Sequence, residues 1–262
     1  MLGEAQALAV PVVADPDVVA ISPLELARAA GIEPDAWQRT ALESTSRKLL
    51  MLCARQSGKS TVAALRAVHE CCFTPGALVL MLAPSMRQSG ELFRTCLGIL
   101  KRLEGVTVPA TVMESTLRLE LDNGSRIIAL PGSESTTRGY GAASMVILDE
   151  AARVPDALIA AARPSLAVTN GRLIALSTPA GKRGWYFLEW VNGEGWERSR
   201  VLASECPRIA PEFLADELRS LGPRVFAQEY ECEFFDPDTA AFSSELIEAA
   251  LVADIEPLWR AS

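Results

Sequence analysis

The residues best placed to do chemistry are Cys53, Ala54, Arg55, Gln56, Ser57, Gly58, Lys59 and Ser60, which follow one apolar run and open a helical pattern. Gly58, Lys59 and Ser60 match the end of the phosphate-loop pattern, in which backbone N–H groups at a helix N-terminus bind phosphate oxygens. A lysine there reaches the β- and γ-phosphates, and the next hydroxyl suits Mg²⁺. The expected ATP ligands are therefore Arg55, Gln56, Ser57, Gly58, Lys59, Ser60 and Thr61, with Ser60 also on the metal. Cys53 stands where the pattern has its first glycine. The competing reading, a chance Gly-Lys-Ser at a helix start, has to be weighed against the rest of the chain. Arg55 puts a cation inside the loop; its fork can grip a γ-phosphate or a carboxylate, or simply be solvated. Gln56 is either a ligand or polar filler.

Asp149 and Glu150 follow four apolar residues. A strand ending there delivers both acids to the C-terminal edge of a sheet, where open α/β folds bind ligands. Asp149 suits Mg²⁺, through water, and Glu150 suits the general base that polarises an attacking water. Ser177, Thr178 and Pro179 close the next apolar run. That hydroxyl pair can sense a γ-phosphate and couple its loss to the next segment, or it can merely open a turn. Gln38 can read an adenine edge with both donor and acceptor. Its neighbour Trp37 can stack on the base or serve as a core aromatic.

Those residues need a scaffold. Residues 47–53, 77–83, 145–149 and 171–177 read as strands buried on both faces. Residues 59–72 and 85–103 read as helices between them. Ser22 and Pro23 start an earlier helix that Gly31 ends, and another spans 35–46. Residues 116–121 and 125–130 read as a hairpin around Asn123 and Gly124. Beyond 205 the pattern is helical, over 211–220 and 223–231. The alternation of strand and helix specifies a doubly wound α/β domain. The expected organisation is an N-terminal arm at 1–20, a core at 21–205, a helical lid at 206–245 and a linker from 246 to 262.

Composition bounds the function. With 49% hydrophobic and 22% charged residues, the chain can build one large core. It has no apolar run of the roughly 20 residues a membrane helix needs, and its start lacks the pattern of a secretory leader. A net charge of -8 argues against a general nucleic-acid coat and leaves room for local contacts. The six cysteines form no CxxC pair, which suggests a reduced, cytosolic protein. With one histidine, His69, a histidine-rich metal site or a Ser-His-Asp triad is not expected.

The full set resembles the ATPase domain of large terminase subunits, the DNA-packaging motors of tailed bacteriophages. The resemblance rests on Arg55 to Ser60, Gln38 upstream, Leu82-Ala83-Pro84, Arg138-Gly139, Val146 to Ala151, Ser177 to Gly181, and Glu229-Tyr230 with Glu233-Phe234. It covers about residues 30–245. Terminases carry an arginine in the loop and tolerate loss of its first glycine, as at Arg55 and Cys53. The resemblance implies a P-loop NTPase of the ASCE, RecA-like type, with a mainly parallel sheet, a helical lid, and ATP and Mg²⁺ as cofactors. It implies double-stranded DNA, a portal protein and a small terminase subunit as partners. It also implies a homo-oligomeric ring during packaging, a monomer in isolation, and work in the host cell cytoplasm at the procapsid vertex, with no membrane involved. By position Arg138 resembles an arginine finger that enters a neighbour's site; a loop ion pair or a role in cis are the other readings. Arg118, Arg126 and Arg102, with Lys101 and Arg87 nearby, are the candidate DNA contacts. The family's nuclease domain is expected to begin after Phe242 and Ser243 and to lie beyond residue 262. Two other readings compete. A superfamily 1 or 2 helicase fragment would need a second RecA-like sheet, and none fits after residue 205. A non-hydrolysing ATP sensor would not need Glu150.

Overall fold

The computed structural model describes residues 19–103, 105–130, 139–236 and 244–250. The expected arm, apart from its last two residues, and most of the expected linker lie outside these. Helix α1 (Pro23–Ala29) starts at a reciprocal cap: the Glu25 N–H donates to Ser22 Oγ, and the Ser22 N–H to Glu25 Oε2. Next come α2 (Ala36–Glu43), β1 (Lys48–Cys53), α3 (Lys59–Phe73), β2 (Leu78–Leu82) and α4 (Met86–Leu100). A meander follows, β3 (Thr111–Glu114), β4 (Arg118–Leu121) and β5 (Arg126–Leu130), before β6 (Met145–Asp149). The chain continues through α5 (Asp156–Ala162), β7 (Arg172–Ser177), α6 (Gly184–Asn192) and β8 (Glu197–Val201). It then enters the helices α7 (Pro211–Leu221), α8 (Pro223–Tyr230) and α9 (Ser244–Ala250).

The eight strands form one sheet in the order β3-β4-β5-β2-β6-β7-β1-β8. From β5 to β8 every pairing is parallel; β3 and β4 add an antiparallel edge. This is the α/β fold with a mainly parallel, helix-flanked sheet. Alternate residues of each central strand enter opposite cores. Leu49 and Met51 pack with α1 to α4, for example against Leu26, Leu65 and Phe93. Leu50 and Leu52 pack with Leu158, Tyr186 and Phe226 on the other side. Burial on both faces is why these strands read as unbroken apolar runs.

The four central strands and the hairpin lie where the sequence places them. Two helices are shorter than expected. α2 stops at Glu43 because the buried Arg66 receives its C-terminal end: Nη1 donates to Leu42 O at 2.7 Å and to Ser44 O at 2.9 Å. α4 stops at Leu100 rather than 103. Five elements carried no expectation: β3, β8, α5, α6 and α9, the last of which reaches into the expected linker. β3 and β8 are edge strands with mostly exposed residues, so they lack the apolar run that marks a buried strand. His69 is a packing residue, its Nε2 2.7 Å from Ile21 O.

Candidate active site

The loop between β1 and α3 begins buried. Cys53 is wholly enclosed and desolvation pushes its thiol pKa well up, so it behaves as a small apolar residue in the glycine's place. Gln56 and Gly58 both take the left-handed conformation, at φ 59° and 89°. A side chain at Gly58 would be strained at this φ and would displace two neighbours. A Cβ there would lie 2.6 Å from Gln38 Nε2 and 2.8 Å from Arg208 Nη2. Those two side chains clamp the loop. Gln38 Nε2 donates to Gly58 O at 3.3 Å, and Arg208 Nη2 donates to Ser57 O at 2.9 Å. Arg208 also pairs with Asp35 Oδ2 at 2.9 Å.

Facing the loop, β6 ends at Asp149 and Glu150, with β7 lying between β6 and β1 in the sheet. Lys59 Nζ lies 3.0 Å from Glu150 Oε1, and Ser60 Oγ donates to Asp149 Oδ2 at 3.2 Å. Asp149 Oδ1 accepts the Glu150 N–H at 2.9 Å. Burial raises the Asp149 pKa, and the Lys59 charge opposes that only in part. Burial works against the Lys59 charge, but the carboxylates of Glu150 and Asp149 outweigh it, so its pKa is raised.

Glu150 is itself left-handed, at φ 50° and ψ 43°, a conformation costing a non-glycine residue about 1–2 kcal/mol. A single 3₁₀ turn, Ala151–Arg153, follows and is anchored to the tip of β7 where the Ala152 N–H donates to Ser177 Oγ at 3.2 Å. Arg153 Nη1 donates both to Glu150 Oε2 and to Thr178 Oγ1, each at 2.9 Å. Its Nη2 lies 3.7 Å from Glu229 Oε1 on α8. Glu229 also faces the loop: its carbonyl accepts the Arg55 N–H at 2.9 Å, and its Oε2 lies 3.7 Å from Arg55 Nε.

These groups line one cavity of about 490 Å³. The expected residues Arg55, Gln56, Gly58, Lys59, Ser60, Thr61, Glu150 and Thr178 all line it. Ser57, Asp149 and Ser177 are buried, the last two hydrogen-bonded to groups at its rim. Trp37 and Gln38 lie on α2, beside the loop. Trp37 is partly buried against the α1–α4 core, and the Gln38 carboxamide is occupied at both ends, by Gly58 O and by the Asp35 N–H at 2.9 Å. Arg138 lies outside the described residues. Among the candidate DNA contacts, Arg126 starts β5, which β2, β6 and β7 separate from β1, whereas Arg87 adjoins Gln88, a residue that lines the cavity. Arg118 pairs with Glu120, Lys101 with Glu114 at 3.0 Å, and Arg102 Nε donates to Gly98 O.

Sequence reasoning missed Arg153, Arg208 and Asp35, and had Glu229 only as part of a resemblance. Arg153 carried one signal, its place three residues after Glu150, which a 3₁₀ turn brings onto the same side. Arg208 carried none, because its partners lie far away along the chain.

No helix among the described residues is long and apolar enough to cross a membrane. A solved structure of the large terminase ATPase domain of Thermus phage P74-26 superposes with a TM-score of 0.71 at 25% identity, over 82% of this chain and 99% of that one. The large terminase of another thermophilic bacteriophage, solved in complex with ADP, shares the fold, with a TM-score of 0.65 at 14% identity over 77% of this chain and 54% of that one. The large terminase subunit of Thermus phage G20c is 27% identical over 81% of this chain and 51% of its own length. The chain thus spans about half the length of the curated relatives it matches. The family described as terminase large subunit, T4likevirus-type, N-terminal matches residues 50–249, which contain the loop, both acids and the facing glutamate of α8, and the chain belongs to that family.

Proposed function

We propose that this chain is a Mg²⁺-dependent ATPase whose turnover drives double-stranded DNA into a viral procapsid. The observation that carries the reading is the pairing of Lys59 with Glu150 and of Ser60 with Asp149 across one cavity, at 3.0 and 3.2 Å. Lys59 neutralises charge on the β- and γ-phosphates, and Arg55, more than half exposed at the cavity mouth, would exchange its 3.7 Å pairing with Glu229 for the phosphates. Glu150 takes a proton from water as that oxygen bonds to the γ-phosphorus and the bridging bond to ADP breaks. Ser60 and Asp149 offer two hard oxygen donors side by side, which fits Mg²⁺, an ion that takes few protein ligands and completes its shell with phosphates and water. When bound, Mg²⁺ neutralises charge shared by the β- and γ-oxygens. Ser177 and Thr178 sit where loss of the γ-phosphate would be felt. α7 and α8 would form the lid, and Arg138 would complete a neighbour's site within a ring. The Thermus phage P74-26 relative, at 25% identity, is named as an ATPase domain, which supports the nucleotide part of this reading.

The test is ATP turnover by the purified chain. Lys59→Ala should lose ATP binding, turnover or both. Glu150→Gln should bind ATP but lower kcat by about 100-fold or more, the range for removing a positioned base. An unchanged rate in Glu150→Gln would remove this mechanism.

A further inference from the structure

We propose that Arg153 is a positioning residue for hydrolysis, setting the direction of the Glu150 carboxylate and linking it to Thr178 and to Glu229 of α8. The inference rests on Glu150 being the base. In the structure the carboxylate is held at both oxygens, Oε1 by Lys59 and Oε2 by Arg153. Lys59 is the group a triphosphate would draw away, because phosphate offers it more charge. Arg153 then remains as the cation on Glu150 among the described residues. With Oε2 fixed, Oε1 is the oxygen left facing the cavity to take a proton from water.

The backbone supports this assignment. Glu150 and Arg153 are the ends of one 3₁₀ turn, whose three-residue period brings their side chains onto one side. The turn is tied to β7 through Ala152 and Ser177. The Arg153 side chain is 37% exposed, and an ion pair so open to water adds little to fold stability. The same guanidinium nitrogen that holds Glu150 holds Thr178 Oγ1, so a shift of Thr178 moves the group that orients the base. Nη2 faces Glu229, whose backbone carbonyl binds the phosphate loop at Arg55. One planar fork thus joins the tip of β6, the tip of β7 and helix α8, which a flexible ammonium could not do.

The experiment measures ATP affinity, single-turnover rate and melting temperature for wild type, Arg153→Ala, Arg153→Lys, Thr178→Val, the Arg153→Ala/Thr178→Val double variant and Glu150→Gln. Arg153→Ala should slow turnover about 10- to 100-fold, with ATP affinity within about twofold, the signature of an interaction that acts on the chemical step. Arg153→Lys should recover part of the rate. The double variant should be no slower than Arg153→Ala, because both changes break one link. Wild-type turnover in Arg153→Ala, with Glu150→Gln inactive, would overturn the inference and leave the ATPase reading intact. Weakened ATP affinity at an unchanged rate would also overturn it, making Arg153 a phosphate ligand. Equal losses in Ala and Lys variants that track a lowered melting temperature would overturn it in favour of a fold role. Turnover retained in Glu150→Gln would instead remove the ATPase mechanism itself.

Discussion

Asp149 shows how a site of this kind works against stability. It is 7% exposed, and burial raises its pKa. The sign follows from linkage. A carboxyl whose folded-state pKa exceeds its unfolded value favours the folded state most when protonated, so its contribution to stability falls as pH rises from about 3.8 through the raised value. At neutral pH the ionised group is therefore a net cost to the fold. Asp149→Asn should raise the melting temperature at pH 7 by a few degrees, lose that advantage below about pH 4, and abolish Mg²⁺-dependent turnover. A thermal melt at the two pH values checks this. Lys59 has the opposite sign: its raised pKa adds stability that is present below about 10.5 and lost only at higher pH.

At the scale of elements, the loop is held from behind by α2, whose Gln38 binds Gly58 O. The place of α2 depends on Arg66 of α3, buried and donating to the Leu42 and Ser44 carbonyls. Arg66→Ala should leave both carbonyls without a donor, at roughly 1–3 kcal/mol each. A denaturant titration should show a lower midpoint, and ATP affinity should fall with it through the loosened loop. Unchanged stability would mean that water replaces the guanidinium. The same scale explains which elements are legible in the sequence. The central strands are, because each is a run of apolar residues buried on both faces. The edge strands are not, since Glu197 to Val201 forms a strand only because β1 presents unpaired N–H and C=O groups beside it.

For the whole molecule, the cavity is open and Arg138 is the side chain proposed to close it from a neighbouring copy. Arg138→Ala should leave ATP affinity unchanged and lower turnover about 10³-fold or more. Turnover of the wild-type chain per molecule should rise with protein concentration. A rate independent of concentration, or a loss of affinity in Arg138→Ala, would place the arginine in its own subunit's site.

Reading along the chain reached Gly58, Lys59, Ser60, Asp149 and Glu150, and with them the strands that carry them. The reason is physical: a phosphate loop and a strand tip are set by near neighbours in sequence, through backbone conformation and apolar pattern. Lys59 and Glu150 could be named separately, but their meeting at 3.0 Å needed the sheet order that puts only β7 between β1 and β6. Gln38 shows what the fold adds: its residue type offers a donor and an acceptor, and only the tertiary structure sets that carboxamide between Gly58 and Asp35, against the phosphate loop. Arg208 and the reach of Arg153 to Thr178 and Glu229 belonged to tertiary structure alone. Their partners are joined by packing across long stretches of chain, and no local pattern of charge or hydrophobicity records which distant carbonyl or carboxylate an arginine will meet.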